Sequence, residues 1–337
     1  KTRSDHNWHG IQSGWDIKRM LGTVPVEEDG SVIFKAPANT PISIQPLDKD
    51  GVAIQWMRSW VTGQPGEVVS CIGCHEDQNQ IAIPKRVIAS QKAPSALTLP
   101  EGGTRSFTFD LEVQPILDRA CIACHNGEGK AFDLRGGKKD KLGYGTSYLN
   151  LHPYVHRQGG EGDMVVLQPY EYHPNTSELV RLLKKGHHNV KLTDKEWKTL
   201  YNWIDYNAPD KGYFNANVLT DLPYKGFDQI KRRKELTDKY ANGAGVDWKK
   251  EIADYADYLK KQGPITPVMP EKAAPVKEKT LKVKGWPFGA DRIKEMLAKE
   301  KETRKVVEIA PGVKVNFVRI PAGEFVMGSY RGEPDAY

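Results

Sequence analysis

Between Met20 and Trp60 the apolar residues come in short runs broken by turn signals, a pattern that predicts β structure. Val24 and Val26 alternate with their neighbours, Asp29-Gly30 supplies a hairpin turn, and Val32, Ile33 and Phe34 follow. Ile42-Ser43-Ile44 comes next and, past the turn Asp50-Gly51, Val52 to Met57. Strands this short and this closely spaced predict a small antiparallel β-sandwich. A polar, proline-containing connection runs from about Glu76 to Gly103, and beyond it the apolar spacing becomes helical. Leu111, Val113, Ile116, Leu117 and Ala120 form a stripe that ends at Cys121, with Pro115 tolerable in the first turn. Thr176 or Ser177 can cap a helix through Leu179, Val180, Leu182 and Leu183 that stops at Gly186. Thr193-Asp194-Lys195-Glu196 is a capping box opening a helix with Trp197, Leu200, Ile204 and Tyr201 on one face. Phe227 to Leu259 is charged and helix-prone, with Tyr255 and Tyr258 towards one side, and Gly263 to Lys284 has the Pro, Ala and Lys content of a linker.

These elements predict an α+β multidomain chain. Residues 1–103 are β-rich, 104–215 mainly α, 216–285 a charged helical segment and linker, and 286–337 terminal β strands. A length of 337 residues suits two or three such units. Hydrophobic content of 39% and a mean hydropathy of −0.59 are ordinary, and no apolar run reaches membrane-spanning length, so no membrane insertion is expected. The net charge of +6 is dispersed, and the basic run Lys231 to Lys234 is followed by acidic residues. It reads as a solvated helix face rather than a nucleic-acid site, with weak attraction to acidic redox partners as its remaining consequence.

All four cysteines lie in two copies of one pentapeptide, Cys71-Ile72-Gly73-Cys74-His75 and Cys121-Ile122-Ala123-Cys124-His125. Two thiols at this spacing can each add to a haem vinyl group, and the histidine after the second lies where its imidazole can bind iron. Disulfides, a four-cysteine zinc site or a thioredoxin-like pair explain the cysteines but leave both histidines to coincidence. The expected cofactors are therefore two covalently attached c-type haems, with His75 and His125 as the first axial ligands. A motif-bearing helix, haem-wrapping loops and a closing amphipathic helix describe a class I-like cytochrome c domain over 104–215. The loop before its closing helix contains His187 and His188, so one of these is the foremost candidate for the second iron. His173 follows, then His152 and His156, with Met164 as the thioether alternative. A second imidazole keeps a haem potential low, whereas a methionine raises it. For the first iron, His6 or His9 could fold back, or the site could stay open. Haem attachment to such proteins happens outside the cytoplasm, so a periplasmic or extracellular location is expected, and the missing targeting peptide suggests a trimmed chain.

Two resemblances extend this reading. Val24-Pro25-Val26, Asp29-Gly30-Ser31, Trp56-Met57-Arg58-Ser59-Trp60 and Gln64-Pro65-Gly66-Glu67, leading into the first motif, resemble the hydrazine synthase alpha subunit middle domain and its planctomycete-type relatives. Val113-Gln114-Pro115-Ile116-Leu117, Asp133-Leu134-Arg135-Gly136, Ser147-Tyr148, Lys185-Gly186-His187-His188 and Trp203-Ile204-Asp205 are similar to the cytochrome domain that follows it there. The resemblance implies a β-rich lid over the first haem and two imidazoles on the second. It does not imply hydrazine chemistry, because the tyrosine ligand of that enzyme's catalytic haem corresponds to Asn79, and amides bind iron poorly. Phe317 to Ser329 resembles the entry to a formylglycine-generating-enzyme-like domain, of which only the first strands are present. No cysteine follows Cys124, so that family's oxidase chemistry is excluded.

If both irons carry two strong ligands, the available task is one-electron transfer, and two haems on one chain form a relay to redox partner proteins, within a homo-oligomer or multihaem assembly. A haem redox enzyme of nitrogen or peroxide chemistry, with the first haem catalytic and the second its electron inlet, is the competing expectation. The third is a haem-stapled structural or attachment module.

Overall fold

The computed structural model describes residues 17–57, 59–72, 86–129, 131–141, 143–158, 168–212, 229–240, 246–271, 289–299 and 304–318. The chain divides into two compact units, residues 1–272 and 273–337.

The larger unit is a mixed α+β structure. Among the described residues its regular sheet pairs β1 (Arg19–Met20) with β2 (Arg105–Ser106), antiparallel, with Arg19 opposite Ser106. The turns expected in the β-rich stretch are present. Asp29 Oδ1 accepts from the Ser31 N–H and hydroxyl, and Gly30 takes a positive φ of 81°. Asp48 holds the second turn in the same way through the N–H groups of Asp50 and Val52. The expected sandwich ladders are not formed among the described residues. Thr23–Thr98, Phe34–Ser95, Ile42–Val61 and Leu47–Ala53 meet as single bridges. Pro25, Pro37, Pro41 and Pro46 interrupt the runs, and each proline removes an N–H that a ladder needs.

The helices follow the sequence closely. After α1 (Phe109–Glu112), α2 (Gln114–Ala120) carries Pro115 in its first turn and ends at Cys121. Next come α3 (Thr146–Leu151) and α4 (Glu178–Lys185), which stops at the left-handed Gly186 (φ 96°). Ser177 is the N-cap of α4, but its hydroxyl accepts from the His156 N–H instead of from the helix. The helix α5 (Asp194–Asp205) opens with the expected reciprocal Thr193/Glu196 box.

These helices close over one core. Phe109 meets Tyr148 and Trp203 edge-to-face at 5.3 Å each, geometry that adds about 0.5–1.5 kcal/mol per pair beyond burial. Trp203 is 0% exposed and donates its indole N–H to Pro209 O at 2.9 Å, while the Tyr148 hydroxyl donates to Ala208 O at 2.8 Å. Val113, Ile116, Leu117, Val180, Leu200 and Ile204 complete the packing.

Beyond the core lies α6 (Gln229–Tyr240), on whose surface Arg232 pairs with Glu235 and Lys234 with Asp238. Lys231, Arg232 and Lys234 are exposed there. The following helix, α7 (Trp248–Lys261), packs on β2. Its Tyr255 lies under the Arg105 guanidinium at 3.4 Å and donates to Glu112, which also receives two hydrogen bonds from Arg105. Desolvation and the Glu112 carboxylate both hold the Tyr255 hydroxyl protonated.

In the smaller unit, α8 (Ala290–Ala298) precedes a hairpin of β3 (Arg304–Ala310) and β4 (Val313–Val318), with an irregularity between Glu308 and Ala310. Val306, Ile309, Val313 and Phe317 are exposed on it. Among the described residues no helix is long and apolar enough to cross a membrane.

Candidate functional site

The second pentapeptide is built directly onto the end of α2. Buried Ile116, Leu117 and Ala120 fix the helix, and the last helical bonds run from the N–H groups of Cys121 and Ile122 to Leu117 O at 2.9 and 3.0 Å. The chain then curls tightly. Cys124 and His125 both donate their N–H groups to Cys121 O, at 3.1 and 2.9 Å, so Cys121, Cys124 and His125 surround one carbonyl. Leu134 N–H returns to His125 O at 2.9 Å, closing the loop 125–134.

His125 is oriented from behind. Its Nδ1 lies 3.0 Å from Phe132 O, and a carbonyl only accepts, so the proton sits on Nδ1 and the Nε2 lone pair points away. Phe132 packs its ring on the imidazole at 4.8 Å, and Tyr154 stacks on Phe132 at 5.4 Å. A ligating histidine ordinarily has such a carbonyl partner, because it fixes both tautomer and ring direction.

Near His125 stands His187, with the ring centroids 6.2 Å apart and the planes inclined by 38°. With metal–nitrogen bonds of about 2 Å, two imidazoles on opposite sides of one metal would have ring centroids roughly 6 Å apart, so the spacing of this pair would let both reach a single ion. His187 is half-buried, and desolvation, joined by the charges of His188 and His125, lowers its pKa, which keeps the imidazole neutral and able to donate a lone pair. Its neighbour His188 is exposed, beside His187 at 4.6 Å and 74°. Adjacency in sequence left the choice between them open; of the two, it is His187 whose ring is paired with that of His125. The turn achieves this with left-handed backbone at Gly186, His188 (φ 47°) and Asn189 (φ 63°). Such conformations cost roughly 1 kcal/mol or more in non-glycine residues and persist where neighbours hold them.

The cysteines of this motif are free thiols among the described residues, Cys121 half-buried and Cys124 exposed. Burial pushes the Cys121 thiol up to about 12. No group of three or more His, Cys, Asp or Glu side chains among the described residues could hold a bare metal ion.

Other histidines are engaged elsewhere. His173 is buried between Asp48 Oδ2 at 3.3 Å and the Asn175 N–H, to which its Nδ1 is the acceptor at 3.2 Å. His156 Nδ1 contacts the Thr176 hydroxyl at 2.8 Å. Burial pushes His152 down to about 4, and its Nε2 accepts from Arg157 at 2.7 Å. Among the described residues, His125 makes its ring contacts with Phe132 and His187. His6, His9, Cys74, His75, Asn79 and Met164 lie outside the described residues. Of the first motif, Cys71 and Ile72 are described and both are exposed, with Trp60, Val68 (88%) and Val69 also open to solvent.

Within the larger unit, the β-rich part meets the helices at a polar seam invisible in the sequence. Asp205, at the end of α5 and 4% exposed, accepts the Ala53 N–H on Oδ2 at 2.9 Å, and Gln45 donates to Asp205 O at 3.0 Å. Tyr170 N–H donates to Ile54 O at 2.8 Å, and Trp56 stacks on Tyr172 at 5.3 Å. Burial pushes the Asp205 carboxyl up to about 7, against the Ala53 N–H and the nearby Trp56 indole. No position along the chain signals this contact, because its partners are about 150 residues apart.

In comparisons with known proteins, residues 1–76 match the hydrazine synthase alpha subunit middle domain family. No curated protein and no solved structure matches the chain.

Proposed function

We propose that this chain is an extracytoplasmic di-haem c-type cytochrome that relays electrons to partner proteins within a larger assembly. The observation that carries the proposal is the approach of His187 to within 6.2 Å of His125, which directly follows two cysteines spaced for haem attachment. Cys121 and Cys124 would hold the porphyrin, His125 and His187 its iron, and the Phe132 carbonyl the orientation of His125. Bound there, haem supplies reversible one-electron oxidation and reduction. The chain's own residues would set the conditions for it: two imidazoles would satisfy the iron, and Phe132, backed by Tyr154, would pack beside His125. Residues 104–215 would then act as a class I-like cytochrome c domain, and the β-rich stretch as a lid over the haem of Cys71, Cys74 and His75. The terminal hairpin is the opening of a formylglycine-generating-enzyme-like domain.

Mass spectrometry of the denatured chain tests the attachment: two haems bound per chain are expected, and a mass equal to bare polypeptide ends the proposal. Magnetic spectroscopy should show a low-spin ferric second haem with two imidazoles.

The partial family match at the first motif favours one other reading, a redox enzyme whose first haem has an open face. Carbon monoxide separates the two. The reduced relay binds none, whereas the enzyme binds it at the first haem.

A further inference from the structure

We propose that Arg119 is a positioning residue that latches the His187 turn over His125, with the extended strap 263–271 as its outer clamp. The inference rests on the axial-ligand reading of His125 and His187. Arg119 occupies the last turn of α2, two residues before Cys121, so whatever it grips is registered against the motif itself.

Its guanidinium spans two points on the segment that carries His187. Nη2 donates to Lys191 O at 3.0 Å, and Nε and Nη2 both donate to the Glu196 carboxylate. Glu196 in turn accepts the Thr193 N–H at 2.7 Å as part of the capping box. One side chain therefore ties Lys191, Thr193 and the start of α5 to the end of α2. The turn between His187 and Lys191 needs such restraint, because His188 and Asn189 both hold left-handed backbone that a free chain would abandon. Arginine suits the task since its planar fork presents several donors in fixed directions, which a lysine ammonium cannot reproduce.

The strap closes the remaining side. The composition of Gly263 to Lys284 reads as a linker, yet Val268 donates its N–H to Arg119 O at 2.7 Å. Three residues on, Glu271 O accepts from Asn189 Nδ2 at 3.1 Å. Residue 119 thus grips the distal turn directly through its side chain and indirectly through the strap bound to its carbonyl. The expected consequence is that distal ligation depends on a residue that touches neither imidazole.

The full-length, haem-loaded protein is used for the test. Arg119→Met should keep two covalent haems but become partly high-spin, binding up to one more carbon monoxide per chain than wild type when reduced. Arg119→Lys should recover part of the low-spin signal. Asn189→Gly preserves the positive φ while removing the amide, and should shift the spectrum in the same direction by less. Amide exchange over residues 187–193 should accelerate about tenfold in Arg119→Met while α2 stays protected. Wild-type ligation and wild-type exchange in Arg119→Met would overturn the latch. If Arg119→Met fails to fold, an unchanged spectrum and unchanged exchange in Asn189→Gly overturn it instead. A wild-type chain without covalent haem sinks the functional reading, and the exchange comparison then decides the latch by itself.

Discussion

The same Cys-x-x-Cys-His pentapeptide occurs twice in this chain, in two settings. The second copy sits on the end of a helix whose other face is core, with a carbonyl behind His125 and an imidazole in front of it. The first follows a proline-interrupted stretch held by single bridges, and its Cys71 is exposed among apolar side chains open to solvent. The same five residues thus stand in different surroundings, and under the proposed function those surroundings would set how well each histidine is oriented, shielded and paired.

The largest test of this contrast removes the anchors. Replacing Cys121 and Cys124 together with serine should lower the haem content from two to one per chain and reduce thermal stability sharply, since the helical core closes against that motif. The same change at Cys71 and Cys74 should remove the other haem while the helical far-UV dichroism persists. Equal structural damage from both pairs would mean the two settings are not different.

Next in size is the core. Trp203→Ala should cost about 3–5 kcal/mol in denaturant unfolding, because a fully buried ring and its indole hydrogen bond are lost. Val26→Ala in the β-rich stretch, already exposed, should stay within about 0.5 kcal/mol.

The histidine pair sharpens the comparison at the site itself. His187→Ala should turn one ferric haem high-spin, and His188→Ala should leave it low-spin; electron paramagnetic resonance reads both. The reverse outcome would mean that His188 is the ligand.

The seam between the regions gives a pH dependence. Asp205 has a folded-state pKa near 7 against an ordinary value of about 3.9. The folded chain therefore holds this proton more tightly than the unfolded chain. The associated stability is fully present below about pH 4 and is lost as pH rises through about 7. Asp210, also pushed up to about 7 by burial, acts in the same window. Asp205→Asn should flatten part of the fall in urea midpoint between these limits; an identical slope in wild type and variant would discount the seam. The smallest effect belongs to α6, where Lys234→Ala should change stability by less than about 0.5 kcal/mol despite breaking its ion pair with Asp238.

Much of the helical part was legible in the residues. The Pro115 start of α2, its end at Cys121, the Gly186 stop and the Thr193/Glu196 box all arise from interactions within a few positions, which sequence displays directly. The β-rich part was less so. Its two turns are local and were readable, but the ladders needed partners from distant segments, and four prolines removed the donors that regular pairing requires.

By itself, then, the sequence determined where the chain starts and stops its helices, where it turns, and which residues can carry attachment chemistry, since those depend on near neighbours. Only the tertiary structure brought the His187 ring rather than that of His188 near His125, set the Phe132 carbonyl and the Arg119 fork against their partners, drew part of an apparent linker onto the end of α2, and buried Asp205 at a seam. Each of these depends on direction and on contact between residues far apart along the chain, and neither quantity is written in the order of side chains.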